Sequence, residues 1–173
     1  MPKKPVLLCA AVLAASASCS FAQSKPSPPA EAHVTIDGKL ISIKYSAPSM
    51  RGRHIFGGLV PYGKVWRAGA NEATALHTDA DLDFAGLKVP KGDYTLYILP
   101  DDNKWTLIVN KQTGQWGTEY DQAQDLGRVP LELSKAPSPI ERYQITLSSK
   151  GGKNGRLQFA WDTTVATLSF SVH

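Results

Sequence analysis

Cysteine is missing from all but the first twenty residues of this chain: the only two, Cys9 and Cys19, both precede residue 22. The remainder therefore has no disulfide, thiol nucleophile, cysteine-ligated zinc or iron–sulfur cluster. It must be held together by its core alone, and a domain of roughly 120 residues is large enough for that. Long apolar runs are also lacking. The longest, Val6–Ala17, falls short of the about 20 residues needed to span a bilayer, so no transmembrane helix is expected after processing. Nor is there a large excess of either charge. The formal net charge is +4, and it drops to +2 without Lys3 and Lys4, which argues against nucleic acid as a partner. The four histidines, His33, His54, His77 and His173, show no HxH or HExxH spacing, and neither metal nor cofactor is expected. No G-x-S-x-G elbow, phosphate-binding glycine loop, dinucleotide fingerprint or EF-hand loop occurs.

What is present begins with a targeting signal. Lys3 and Lys4 precede the short apolar run, and Ser20-Phe21-Ala22 places small residues at the positions a signal peptidase reads, so residues 1–22 are read as a signal peptide. Lipoprotein processing at Cys19 is the weaker rival, because Ser16 stands where that motif prefers Leu. The expected location is periplasmic or extracellular. Residues 23–32, QSKPSPPAEA, read as a Pro/Ser-rich tether, and 33–173 as a single domain.

That domain reads as all-β. Asp37-Gly38-Lys39 between His33–Ile36 and Leu40–Tyr45 is a hairpin signal. Thr74–Thr78, Asp81–Phe84, Asp93–Leu99 and Trp105–Asn110 follow as strands, then Arg128–Leu133, Ile140–Ser148, Gly155–Asp162 and Val165–Val172. Leu157, Phe159 and Trp161 alternate and so share one face. The single helical candidate is Thr118–Leu126, about two turns at most. Short strands, Gly/Pro/Asp turns and at most one short helix predict a β-sandwich or jelly-roll-like domain.

Arg51–Thr74 fits neither period. It carries five glycines, three arginines and three aromatics, which suggests a long ordered loop with a task. Arg51, Arg53 and Arg67 suit a carboxylate, sulfate or phosphate, because guanidinium forks hold oxyanions bidentately. Tyr62 and Trp66 offer stacking faces, Asn71 and Glu72 form a rim, and Trp116 of Gly114-Gln115-Trp116-Gly117 is a candidate wall. The competing structural reading has the arginines pairing with acids such as Glu72 or Asp79 to pin the loop down.

Ile55–Thr74 (IFGGLVPYGKVWRAGANEAT), the VPKGDYTLYILP segment, Trp105–Lys111 (WTLIVNK) and Gln115–Gly117 (QWG) together resemble the bacterial domain of unknown function 2911 family (DUF2911), over about Ser46–Val172. The resemblance implies an exported β-rich bacterial protein. It carries no established activity, so no catalytic residue is transferred.

The leading expectation is therefore non-enzymatic binding of a small polar or anionic ligand, or a glycan, by Arg51, Arg53, Tyr62, Trp66, Arg67, Asn71, Glu72 and Trp116. The alternatives are an envelope-polymer hydrolase using Glu72 with a second carboxylate or His54, and a structural or partner-binding envelope protein.

Overall fold

Asp37 and Gly38 both take positive φ (52° and 72°), the conformation a two-residue turn needs to match the twist of its flanking strands. They join β1 (Pro29–Ile36) to β2 (Lys39–Ser46) in an unbroken antiparallel register from Pro29↔Ser46 to Ile36↔Lys39. The computed structural model describes residues 26–173, so residues 1–22, read above as a signal peptide, and both cysteines lie outside the described residues. Strand β1 begins at Pro29, inside the stretch read as a tether. Ala30 and Ala32 pair with Tyr45 and Ile43, and Ala32 is buried, so the small residues of QSKPSPPAEA serve the sheet.

Seven more strands bring the total among the described residues to nine: β3 (Thr74–Thr78), β4 (Leu82–Phe84), β5 (Leu87–Val89), β6 (Gly92–Leu99), β7 (Trp105–Asn110), β8 (Asp125–Gly151) and β9 (Asn154–Val172). They form one open antiparallel sheet in the order β1-β2-β3-β6-β7-β8-β9-β4-β5. The two long strands make it sandwich-like. The first residues of β8 pair with β7, from Asn110↔Asp125 to Trp105↔Leu131, and the rest of β8 pairs with β9. Each long strand was expected as two. Pro137 and Pro139 lie in a register shift between Lys135 and Ile140, and Asp162 takes φ 52°, so the chain bends at both places without leaving the sheet.

One core fills the space between the layers. Ile41, Ile43, Leu76, Leu96 and Leu107 come from one side, and Leu157, Phe159, Trp161, Ala166 and Phe170 from the other. The alternation of Leu157, Phe159 and Trp161 is thus inward-facing as expected, each at most 1% exposed.

Residues 118–126 do not make two helical turns. Only Gln122–Gln124 form a 3₁₀ turn, capped by the Asp121 carboxylate accepting from the Ala123 N–H. Asp125 already belongs to β8, and its carboxylate accepts from Tyr120, Arg128 and Asn110, which holds the chain extended. The whole 111–124 segment is laid across the outer face of β6 and β7. Thr95 Oγ1 donates to Gln112 O (2.7 Å), Gln115 Nε2 donates to Tyr97 OH (3.0 Å), and Tyr97 OH donates to Glu119 O (3.3 Å). No helix among the described residues is long and apolar enough to cross a membrane.

Candidate functional site

The loop between β2 and β3 is built around Trp66. Its backbone exchanges two hydrogen bonds with Ile98 of β6 (2.7 and 2.8 Å), two residues beyond the Thr74↔Leu96 pair along β6. Trp66 and β3 therefore occupy the same lane beside β6, and residues 67–73 are extruded from that lane as a closed loop. Ala68 and Asn71 both take positive φ (50° and 58°) to make the excursion. Trp66 Nε1 donates to Gly69 O (3.1 Å) and Thr74 Oγ1 to Ala68 O (2.9 Å), which closes the loop on itself. The Trp66 ring is 9% exposed, stacks on Trp161 (6.0 Å, 20°) and meets Tyr143 and Phe56 edge-on. It is first a core residue, and only its edge reaches the surface.

Residues 67–73 then meet the 111–124 segment. Ala73 N–H donates to Gln115 O (3.2 Å), Gly117 N–H donates to Asn71 O (3.1 Å), and Glu72 pairs with Trp116 in an antiparallel bridge. Gly117 is needed here for a steric reason. A Cβ would stand 2.1 Å from Arg67 Cδ and 2.7 Å from Asn71 O, so only glycine lets the Arg67 stem pass between the two segments.

Arg67 emerges between two adjacent clefts of about 240 and 260 Å³ and lines both. Leu59, Val60 and Trp66 are also common to the two. One cleft adds Arg53, Asn71 and Ser27, and the other Lys64, Tyr97, Thr118 and Tyr120. Neither has an aspartate or glutamate in its lining. The Arg67 Nε is shielded from water and has no hydrogen-bond partner, and among the described residues its guanidinium makes no ion pair. Burial pulls its pKa below the ordinary arginine value.

The other arginines are used differently. Arg51 Nη2 donates to Pro26 O (3.0 Å) and its N–H to the Glu141 carboxylate (2.9 Å). Arg51 thus fastens the loop and lines neither Arg67 cleft. Arg53 spends Nε and Nη2 on the carbonyls of Met50 and Ser49 (2.9 and 2.7 Å), yet still lines one cleft. Carbonyl groups, not Glu72 or Asp79, take these guanidinium protons. Tyr62, 40% exposed, packs its ring over Gly57 and lines neither cleft. Trp116, 47% exposed, lines neither, although Gln115 and Gly117 on either side of it face clefts. Glu72 opens onto a separate cleft of about 350 Å³ beside Lys44 and Tyr45, whose lining includes no second acid or histidine. His54 lines neither Arg67 cleft nor the Glu72 cleft.

Four of the eight candidate residues therefore border the connected clefts or floor them: Arg53, Trp66, Arg67 and Asn71. Lys64, Leu59, Tyr97, Thr118 and Tyr120 were missed. Tyr97 and Leu59 read as ordinary strand and loop hydrophobics, and nothing in the sequence places 111–124 against 67–73. The one available signal was Gly117, a glycine set in a turn already rich in glycine.

The family model described as protein of unknown function (DUF2911) matches residues 27–170. The chain belongs to the DUF2911 family. The match begins at residue 27, so β1 and β2 are part of the DUF2911 unit as well as the two segments that meet at Arg67. No curated protein and no solved structure matches the chain.

Proposed function

We propose that this DUF2911 protein is an exported binding domain that holds a small anionic ligand at Arg67 without transforming it. The observation that carries the reading is the guanidinium itself. It is half-buried, has no acidic partner among the described residues, and is set between two clefts that contain other cations and no acids. Leaving a charge partly desolvated and unpaired costs stability, and a bound carboxylate, sulfate or phosphate relieves that cost while gaining charge-assisted hydrogen bonds. Trp66, Leu59 and Val60 supply the apolar wall such a ligand packs against. Export is supported by the charged, apolar and small-residue order of residues 1–22.

Thermal unfolding with sulfate, phosphate, citrate and a uronic acid tests the binding. At a hundredfold excess over Kd, the melting temperature of the wild type rises by on the order of 5–10 °C, and Arg67→Gln does not respond. If every anion leaves the wild type unmoved, or shifts both proteins alike, the reading is wrong. Export is checked by fractionating cells that express the full chain. A processed form starting at Gln23 outside the cytoplasm is expected, and an unprocessed cytoplasmic chain would exclude it.

A further inference from the structure

We infer that the anionic ligand is an acidic oligosaccharide of at least two sugar units, lying across both clefts with one carboxylate or sulfate on Arg67. The inference rests on reading Arg67 as an anion anchor and specifies what the anchor holds.

The two clefts are lobes of one site. They share Leu59, Val60, Trp66 and Arg67, and each alone, at about 240 or 260 Å³, is smaller than the roughly 300–1,000 Å³ of ordinary ligand pockets. Taken together they fall within that range. A compact anion such as sulfate needs neither lobe in full. An elongated ligand anchored at its middle uses both.

Both lobes also carry cations. Arg53 stands in one lobe, Arg67 is common to both, and Lys64 stands in the other, while no carboxylate lines either. A ligand carrying an acid group on successive units meets a cation at each step. A neutral chain leaves all three cations unused.

The walls distinguish a sugar from a polyphosphate. Leu59, Val60, Pro61 and the Trp66 edge are apolar surfaces suited to the C–H faces of pyranose rings. The Thr118 and Ser27 side chains and the Asn71 amide bring short hydrogen-bonding groups suited to sugar hydroxyls. A polyphosphate has no apolar face to place on Leu59 or Pro61, and it favours a nest of backbone N–H groups. Here the Gly57 and Gly58 N–H groups are already donated to Val60 O and Ile55 O.

Calorimetric titration of the mature protein with galacturonate and its dimer and trimer, a sulfated disaccharide, and tripolyphosphate tests this. Affinity is expected to rise tenfold or more from monomer to dimer. Arg53→Gln and Lys64→Gln should each lower dimer affinity at least threefold with a smaller effect on the monomer. Arg53→Lys, which keeps the charge, should retain most of it. Both positions are exposed, and a melt of each variant checks that it is folded. Equal affinity for monomer and trimer overturns the two-lobe assignment while leaving Arg67 as an anion anchor. Tripolyphosphate binding more tightly than every saccharide overturns the sugar assignment. Absence of binding by every probe, or full binding by Arg67→Gln, removes the anchor and the inference with it.

Discussion

Arg67 is held in place by its stem and not by its charge: Cβ and Cδ lie against Gly117, while the Nε has no partner. Replacing it with methionine keeps the packing stem and removes the unpaired charge. Arg67→Met is therefore expected to be as stable as the wild type or more so, by roughly 1 kcal/mol in urea unfolding, and to lose the anion-induced rise in melting temperature. Gly117→Ala is its counterpart. The added methyl meets Arg67 Cδ and Asn71 O, so a loss of about 1–3 kcal/mol is expected, with weakened anion binding from a displaced Arg67. A fully stable Gly117→Ala with unchanged binding would contradict the close approach of the two segments. His77 belongs to this scale too. Its Nδ1 lies 2.7 Å from Asp93 and its Nε2 3.1 Å from Asp79, so Asp93 first and Asp79 second hold its pKa above the ordinary value. A raised folded pKa means the stabilisation is complete below the unfolded value, about 6.5, and fades as pH rises through the folded one. The three side chains are well exposed, so screening keeps the effect below about 1 kcal/mol. Unfolding free energies between pH 5 and 9 should decline in the wild type, and His77→Gln should lack that decline.

At the scale of elements, the 67–73 excursion depends on a backbone conformation that few residues adopt. Asn71 sits at φ 58° and its amide donates to Ser27 O (3.3 Å). Asn71→Gly keeps the conformation and loses only the side-chain bond, whereas Asn71→Ala loses both. A stability order of wild type, then Gly, then Ala, with about 1 kcal/mol between the last two, is expected from chemical denaturation. The β8–β9 hairpin supports the loop from below. Trp161 is 1% exposed, stacks on Trp66 and donates its Nε1–H to Glu141 O (3.2 Å). Trp161→Ala should cost about 3–5 kcal/mol and loosen the Trp66 floor of both clefts. Its near-ultraviolet circular dichroism would report that loss of aromatic packing.

For the whole molecule, the sheet's continuity through β8 and β9 joins its two layers around one core, and no covalent crosslink is available after residue 19. Stability of residues 26–173, which contain no cysteine, is therefore expected to be independent of redox conditions, and their urea curves with and without dithiothreitol should superimpose. The aromatic cluster of Phe56, Trp66, Trp105, Tyr143 and Trp161 draws on the β2–β3 loop, β7, β8 and β9. An intrinsic tryptophan fluorescence transition should accordingly coincide with the loss of β-sheet signal.

Local chemistry settled much of this before the chain folded. The Asp37-Gly38 turn, the Thr74–Thr78 and Trp105–Asn110 strands, and the inward face of Leu157, Phe159 and Trp161 follow from turn preference and period-two alternation, which act over a few residues. The lack of cysteine and the β class were legible in the same way. The 118–126 segment, allowed two helical turns at most by its propensity, keeps a single 3₁₀ turn because Asp125 is recruited by Tyr120, Asn110 and Arg128. The continuity of β8 across Pro137 and Pro139 was hidden because prolines mark an ending unless a partner strand carries the chain through. The site was half visible. Composition named the arginine-rich loop, but it could not separate Arg51, fastened to Pro26, from Arg67, whose Nε has no partner among the described residues. That distinction depends on Gly117, Thr118 and Tyr120 arriving from elsewhere in the chain. Residue types and short-range spacing are properties of the sequence by itself. Which guanidinium is desolvated and unpaired is a property of long-range contacts, and only the tertiary structure makes them.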